Sequence, residues 1–224
     1  MAAYKSRAIV LANGELGAQA LQRADIQDED FIVCVDGGLE HALAQGIQPH
    51  LIIGDFDSAR SVNVKAASLA GVERISHPTV KDVSDLELAL EELQQRNMKE
   101  VLLLGISGGR SDHGLFNWML PALKSRPYRF RLLDETIDAQ VVNRAHSLKL
   151  TIEPGCLVSL LPLREVTGVT TGGLEYALSN ASIKPGSTIG LSNVVCAKDV
   201  SVELASGVLL VMINYNLVEQ PKDD

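Results

Sequence analysis

Aromatic residues make up only 4% of this 224-residue chain, so candidates for stacking on a planar ligand are few. Positive charge is also short: the formal net charge is −8, which argues against a non-specific nucleic-acid binder, since that would need a basic stripe. It does not exclude a phosphorylated substrate, because a bound metal ion reverses the local potential. No stretch approaches the roughly 18 consecutive apolar residues of a membrane-spanning helix. Near the N-terminus the only apolar run is Ala8–Ala12, too brief for the core of a signal peptide. The three cysteines, Cys34, Cys156 and Cys196, are far apart and odd in number. They fit neither a metal-ligand spacing nor a disulfide framework, so they are expected as small core residues in a reducing cytoplasm. Gly/Ser linkers, internal repeats and low-complexity tracts are absent as well.

What remains is an ordinary globular composition, 46% hydrophobic and 21% charged, long enough for one large domain or two small ones. Short apolar runs occur at Arg7–Ala12, Phe31–Val35, His50–Ile53, Glu73–Ser76, Val101–Leu104 and Arg129–Leu133. Several are rich in Val and Ile, as strands buried on both faces are. Between them lie helical segments, clearest at Asp85–Asn97, where Leu86, Ala89, Leu90 and Leu93 recur at i, i+3, i+4 and i+7. Alternation of this kind predicts an α/β domain, Rossmann-like, with a mostly parallel sheet and helices on both faces. After about Asp138 the helical pattern stops. Short runs of Val, Leu, Ile and Thr are punctuated by Glu153-Pro154-Gly155, Lys184-Pro185-Gly186 and Ser206-Gly207. That pattern predicts an antiparallel β-sandwich or barrel, with domains at residues 1–136 and 137–224.

In open α/β sheets, ligands bind beyond the carboxyl ends of the strands. Here the polar residues collect at successive strand exits: Asn13-Gly14, Asp36-Gly37-Gly38, Gly54-Asp55-Phe56-Asp57-Ser58, His77–Asp85 and Gly105–His113. Asp55 and Asp57 are two hard oxygen donors two residues apart, a pair that suits Mg²⁺; the competing explanation is a loop in which Asp57 or Ser58 caps the next helix. Asp82 and Asp85, three apart, can aim at one point from the turn that opens the following helix, although Asp85 also suits a helix N-terminus. Ser107-Gly108-Gly109-Arg110 can expose backbone N–H groups to an anion while the arginine grips a phosphate. It is not a P-loop, since no Gly-Lys-Ser/Thr follows the glycines. His113 fits an acid/base residue, a phosphate donor or a cap neighbour. Trp118 is expected in the core with Leu115 and Leu123, and Asn117 at the loop edge. Capping explains any one of these exits and explains all five poorly.

Asp36-Gly37-Gly38, Gly54–Ser58, Lys81–Asp85 and Ser107–His113 come in the order seen in thiamine pyrophosphokinases, which the chain therefore resembles. Gly173–Leu178 and Gly190-Leu191-Ser192-Asn193 look like that family's thiamine-binding segments, so the resemblance covers nearly the whole chain. It implies transfer of a pyrophosphoryl group from ATP to the hydroxyl of thiamine, giving thiamine diphosphate and AMP. It further implies a catalytic α/β domain, a C-terminal β-sandwich, and a homodimer whose active site is a cleft shared between subunits. On this resemblance Asp55, Asp57 and Asp82 or Asp85 are the Mg²⁺ carboxylates, and Asp57, Asp82, Asp85 and Arg110 the catalytic set. Asp36, Gly37, Lys81, Ser107, Gly108, Gly109, Arg110, Asp112 and His113 fall to the nucleotide, and Tyr176, Ser192 and Asn193 to thiamine. No nucleic-acid or membrane partner is implied. Two positions depart from the family pattern: Ser84 stands where threonine is more common, and Ala177 where proline is usual. Acceptors other than thiamine (a pterin alcohol, or water in a phosphohydrolase) and a non-enzymatic sensor are the rival readings.

Overall fold

Val, Ile and Leu runs without polar relief must be covered on both sides, and the computed structural model shows how. It describes residues 6–54, 71–76, 83–124 and 128–218. The described residues fall into two compact units. Those up to Leu120, together with Leu132–Glu135, form one; those from Pro121 to Arg131 and from Thr136 onward form the other.

In the first unit, β1 (Arg7–Leu11) pairs in parallel with both β2 (Phe31–Val35) and β5 (Glu100–Leu104). Beyond β2 follow β3 (Leu51–Gly54) and β4 (Glu73–Ser76), also parallel. The order β5-β1-β2-β3-β4 runs outward from β1 to β4 and then returns to the other side of β1. Side chains alternate with the pleat. Ile9, Leu11, Ile32, Cys34, Ile52, Leu102 and Leu104 share one buried cluster with Ala20 and Ala24 of α1 (Ala18–Ala24) and Leu39 and Ala42 of α2 (Gly38–Ala44). Leu86, Ala89, Leu90 and Leu93 of α3 (Asp85–Gln95) are buried outside that cluster, and α3 lies against β2 and β3. Helices thus cover both faces. Truncating one such leucine to alanine typically costs about 2–5 kcal/mol, so the apolar stripe fixes where α3 sits. The helix starts at Ser84, whose side chain accepts from the Glu87 N–H at 3.2 Å, and Glu87 completes an S-x-x-E capping sequence.

α1 is only seven residues long and lacks a side-chain cap of its own. Glu135 supplies one from the far end of the unit, accepting from the N–H groups of Gln19 and Ala20 at 3.3 and 3.4 Å. Arg23 donates to the carbonyls of Asp134 and Glu135 at 2.8 and 2.7 Å. α4 (Ser111–Lys124) follows β5, and β6 (Arg129–Leu133) spans the point where the chain divides.

Among the described residues of the second unit, strands β7 to β14 pair antiparallel. β12 (Asn193–Val194), β9 (Cys156–Pro162), β14 (Val208–Val218) and β7 (Ile137–Asn143) are neighbours in that order within the first of its sheets, a run that continues into β6. β11 (Ala181–Ile183), β10 (Val166–Gly172), β13 (Asp199–Glu203) and β8 (Leu148–Thr151) form the second. Val158 and Leu160 from the first sheet meet Val166, Val169, Val200 and Val202 from the second in a single core, which makes the unit a sandwich.

Two expectations about the core need correction. Cys34 and Cys156 are buried, but Cys196 is exposed, held in a turn by its N–H to the Gly173 carbonyl at 2.9 Å. Leu115 is 64% exposed, because α4 turns Leu115, Phe116 and Met119 outward. Trp118 is half-buried and spends its indole N–H on Ser107 Oγ at 3.1 Å, while the Leu123 side chain lies outside the described residues. Among the described residues no helix is long and apolar enough to cross a membrane.

Candidate functional site

The exits of β1 and β5 meet where the strand order reverses, the position at which open α/β sheets leave a crevice. Past the sheet's end the two exits are still joined, backbone to backbone: Ala12 N–H to Leu104 O at 2.9 Å, Gly14 N–H to Gly105 O at 2.6 Å, Glu15 N–H to Ser107 O at 2.7 Å. A Cβ at Gly14 would overlap the Ser107 carbonyl, so the approach requires glycine there. The result is a fixed floor.

Above it opens a cleft of about 510 Å³. Its walls come from the β1 and β2 exits, the start of α3, the β5 exit and the first turns of α4. Of the residues singled out in the sequence, Asp36, Asp85, Gly108, Gly109, Arg110 and His113 line this cleft together. Asn117 lines it too, donating to the Ile106 carbonyl at 3.1 Å, at the loop edge as expected.

Asp36 sits in the left-handed region (φ 50°), rare for a residue other than glycine and found where surrounding structure imposes it. Its N–H is tied to Ile53 O at 3.0 Å, and its carboxylate lies where a Cβ on Gly54 would be. β3 therefore ends on a glycine beside the Asp36 carboxylate. Asp55 and Asp57 follow Gly54, and Lys81 and Asp82 precede Val83 of the cleft wall; all four lie outside the described residues. Asp85 stands at the first position of α3. Ser84 caps that helix, and the Asp85 carboxylate places a favourable negative charge in its first turn while lining the cleft.

The loop Gly108-Gly109-Arg110 runs into the N-terminus of α4, where helix N–H groups favour an anion. Both glycines have positive φ (92° and 64°), and a Cβ at Gly109 would meet open space. Among the described residues none accepts a hydrogen bond from the N–H of either glycine. Ser107 itself is turned inward: its hydroxyl takes the Trp118 N–H and donates to Asp134 at 3.4 Å, so this side chain tethers the loop. Arg110 forms a two-pronged ion pair with Asp112, at 3.1 and 2.6 Å, both groups being exposed. The guanidinium and the His113 backbone draw the Asp112 carboxyl down to about 2, so the pair stays charged at any ordinary pH.

Sequence reasoning passed over His41. It lies inside α2, and its Nε2–H donates to the Gly14 carbonyl at 2.7 Å, bracing the β1 exit from a position 27 residues away. No local pattern signals such a brace. His41 also lines an adjoining cavity of about 620 Å³ with Gly37 and Glu40.

In the second unit Tyr176 is 66% exposed and Ser192 is exposed with φ 53°. Asn193 is buried at 2% and hydrogen-bonds the Tyr176 main chain.

A parallel α/β unit with an anion-suited cleft at its switch point, followed by an antiparallel sandwich, defines a class of two-domain protein. Sequence comparison narrows it. The model described as "Thiamin pyrophosphokinase, catalytic domain" matches residues 23–126, and "Thiamin pyrophosphokinase, vitamin B1 binding domain" matches residues 145–209. The chain belongs to the thiamine pyrophosphokinase family. It is 29% identical to the thiamine pyrophosphokinase of Bacillus subtilis over 181 residues, covering 80% of this chain and 84% of that protein. The crystal structure of thiamine pyrophosphokinase from B. subtilis shares the fold with a TM-score of 0.80 at 24% identity, over 94% of this chain and 100% of that one. The corresponding structure from Geobacillus thermodenitrificans gives 0.78 at 25% identity, over 96% and 99%.

Proposed function

We propose that this chain transfers the pyrophosphoryl group of ATP to the hydroxyl of thiamine, giving thiamine diphosphate and AMP. The observation that carries the reading is the mixture of signs in one cleft. Asp36 and Asp85 face the same cavity as Arg110 and the glycine N–H groups. A bare polyphosphate would be repelled by the carboxylates, whereas a polyphosphate carrying a divalent cation accounts for both sets. Hard oxygen donors of this kind fit Mg²⁺, which typically takes one or two carboxylates along with waters and substrate phosphates. Asp55, Asp57 and one of Asp82 or Asp85 are the residues that would hold it. When bound, Mg²⁺ supplies charge neutralisation and polarises phosphate oxygens.

The chain's own groups do the rest by positioning, which is the larger part of phosphoryl-type transfer. The N–H groups of Gly108 and Gly109 and the α4 N-terminus receive phosphate oxygens, with Lys81 and Arg110 adding positive charge. Asp36, Gly37 and His113 border the nucleotide, and Asp112 holds the Arg110 fork in orientation. As the thiamine hydroxyl oxygen bonds to the β-phosphorus, the bond to the oxygen retained by AMP breaks. The hydroxyl proton passes to a carboxylate, for which Asp85 is the candidate base. Tyr176, Ser192 and Asn193 serve thiamine. In this assignment residues 1–136 handle ATP and residues 137–224 handle thiamine. The working form is a cytoplasmic homodimer whose active cleft is shared between subunits.

The acceptor is tested by competition. Offered thiamine and a hydroxymethylpterin at equal concentration with ATP and Mg²⁺, the protein should pyrophosphorylate thiamine and leave the pterin unchanged, as read by mass spectrometry. Consumption of the pterin instead would reassign the acceptor.

A further inference from the structure

Asn193 carries a primary amide that is almost wholly withdrawn from solvent, and two of its three side-chain hydrogen bonds go to the main chain of one residue, Tyr176. Its Oδ1 accepts from the N–H of Tyr176 and of Val194, each at 3.0 Å, and its Nδ2 donates to the Tyr176 carbonyl at 2.9 Å. The amide therefore reads the Tyr176 backbone on both its donor and its acceptor side. A buried amide satisfied in this way is costly to redirect, since each abandoned group would forfeit about 1–3 kcal/mol.

The same stretch is fixed at its other positions. Gly173 accepts from the Cys196 N–H at 2.9 Å, and its φ of 77° brings it so close to the Asp199 carbonyl that no side chain fits. Leu174 is buried in the sandwich core. Glu175 N–H donates to Val194 O at 2.9 Å. Leu178 exchanges two bonds with Thr171, N–H to Oγ1 at 2.8 Å and carbonyl from N–H at 3.0 Å. The loop is held along its length, yet the ring at its centre, Tyr176, is 66% exposed. In a chain with so few aromatics, a large ring left in solvent on a fully fastened backbone is a preformed surface. Rings lose little conformational freedom on binding, and cationic heterocycles are attracted to their faces.

We infer that Asn193 is a positioning residue for thiamine: it fastens the Tyr176 main chain so that the ring stands as a stacking platform, and does not itself contact the substrate. The inference rests on the proposed acceptor and adds a role for Asn193 distinct from that of a thiamine ligand.

A double-mutant cycle tests it. KM for thiamine and KM for ATP are measured for the wild type, Tyr176→Ala, Asn193→Ala and the double variant, with thermal unfolding alongside. Each single variant should raise KM for thiamine about tenfold, the upper range for one aromatic contact, and leave KM for ATP unchanged. The double variant should be no worse than Tyr176→Ala, because Asn193 acts only through that residue. Multiplying effects would mean that Asn193 touches thiamine directly and would overturn the inference. An unaltered KM for thiamine in Tyr176→Ala would overturn it too, by removing the platform. Should Asn193→Ala fail to fold, Asn193→Asp decides the matter. A carboxylate turned on the Tyr176 carbonyl should raise KM for thiamine, whereas direct contact with the cationic ring would lower it. Absence of thiamine-dependent turnover in the wild type would instead defeat the functional reading, a result separable from all of these.

Discussion

Asp57→Asn should lower kcat by about 10³-fold or more while leaving the fold intact, the loss expected when one metal-binding carboxylate is replaced by a neutral isostere. The size of the effect follows from what the charge is for. Polyphosphate brought to Asp36 and Asp85 at the sheet's edge meets negative groups, and only a cation between them makes the approach favourable. Asparagine keeps the volume of Asp57 and removes its charge, so folding should be indifferent and turnover should not. Steady-state kinetics with thermal unfolding on the same sample separates the two. Near-normal turnover by a folded Asp57→Asn protein would remove the metal reading of the carboxylate pair.

Arg110→Ala should weaken nucleotide binding about 10- to 100-fold, in line with the roughly 1.5–3 kcal/mol of a hydrogen bond to a charged group. Arg110 is engaged with Asp112 at the mouth of the cleft, but exposed ion pairs contribute little, so phosphate oxygens can compete for the same fork. Until phosphate arrives, Asp112 keeps the guanidinium plane oriented. Arg110→Lys should recover little, because an ammonium cannot reproduce the two-pronged geometry. The chain's single tryptophan offers the readout. Trp118 hydrogen-bonds Ser107, the residue before the Gly108-Gly109-Arg110 loop, so its fluorescence should change as MgATP is titrated. Unchanged nucleotide affinity in Arg110→Ala would take the arginine out of the phosphate site.

The central strands were legible because parallel strands covered on both faces leave no room for polar residues; Phe31–Val35 is buried at every position. α3 was legible because its buried residues repeat at helical spacing, and its S-x-x-E start was available to the same reading. The switch-point cleft could be anticipated from the succession of strand exits, since each exit carried residues that strands and helices disfavour. Other features had no local signal. α1 is capped by Glu135, 116 residues from Gln19, and a side chain that distant leaves no trace in the helix's own sequence. Cys196 departs from the expected core position because an apolar neighbourhood does not distinguish a strand interior from the turn beside it. Leu115 departs from the expected core position because α4 carries apolar residues on more than one side, so periodicity does not say which face is covered. The amide of Asn193 could be recognised as polar and as part of a motif, but its attachment to the Tyr176 backbone depends on the short pairing of β12 with β9.

The most direct test of the whole account is the identity of the nucleotide product. With ATP, Mg²⁺ and thiamine, phosphorus NMR should show AMP and thiamine diphosphate rising in equal amounts, and neither should form when thiamine is omitted. ADP or free phosphate as the product, or AMP released without thiamine, would contradict it.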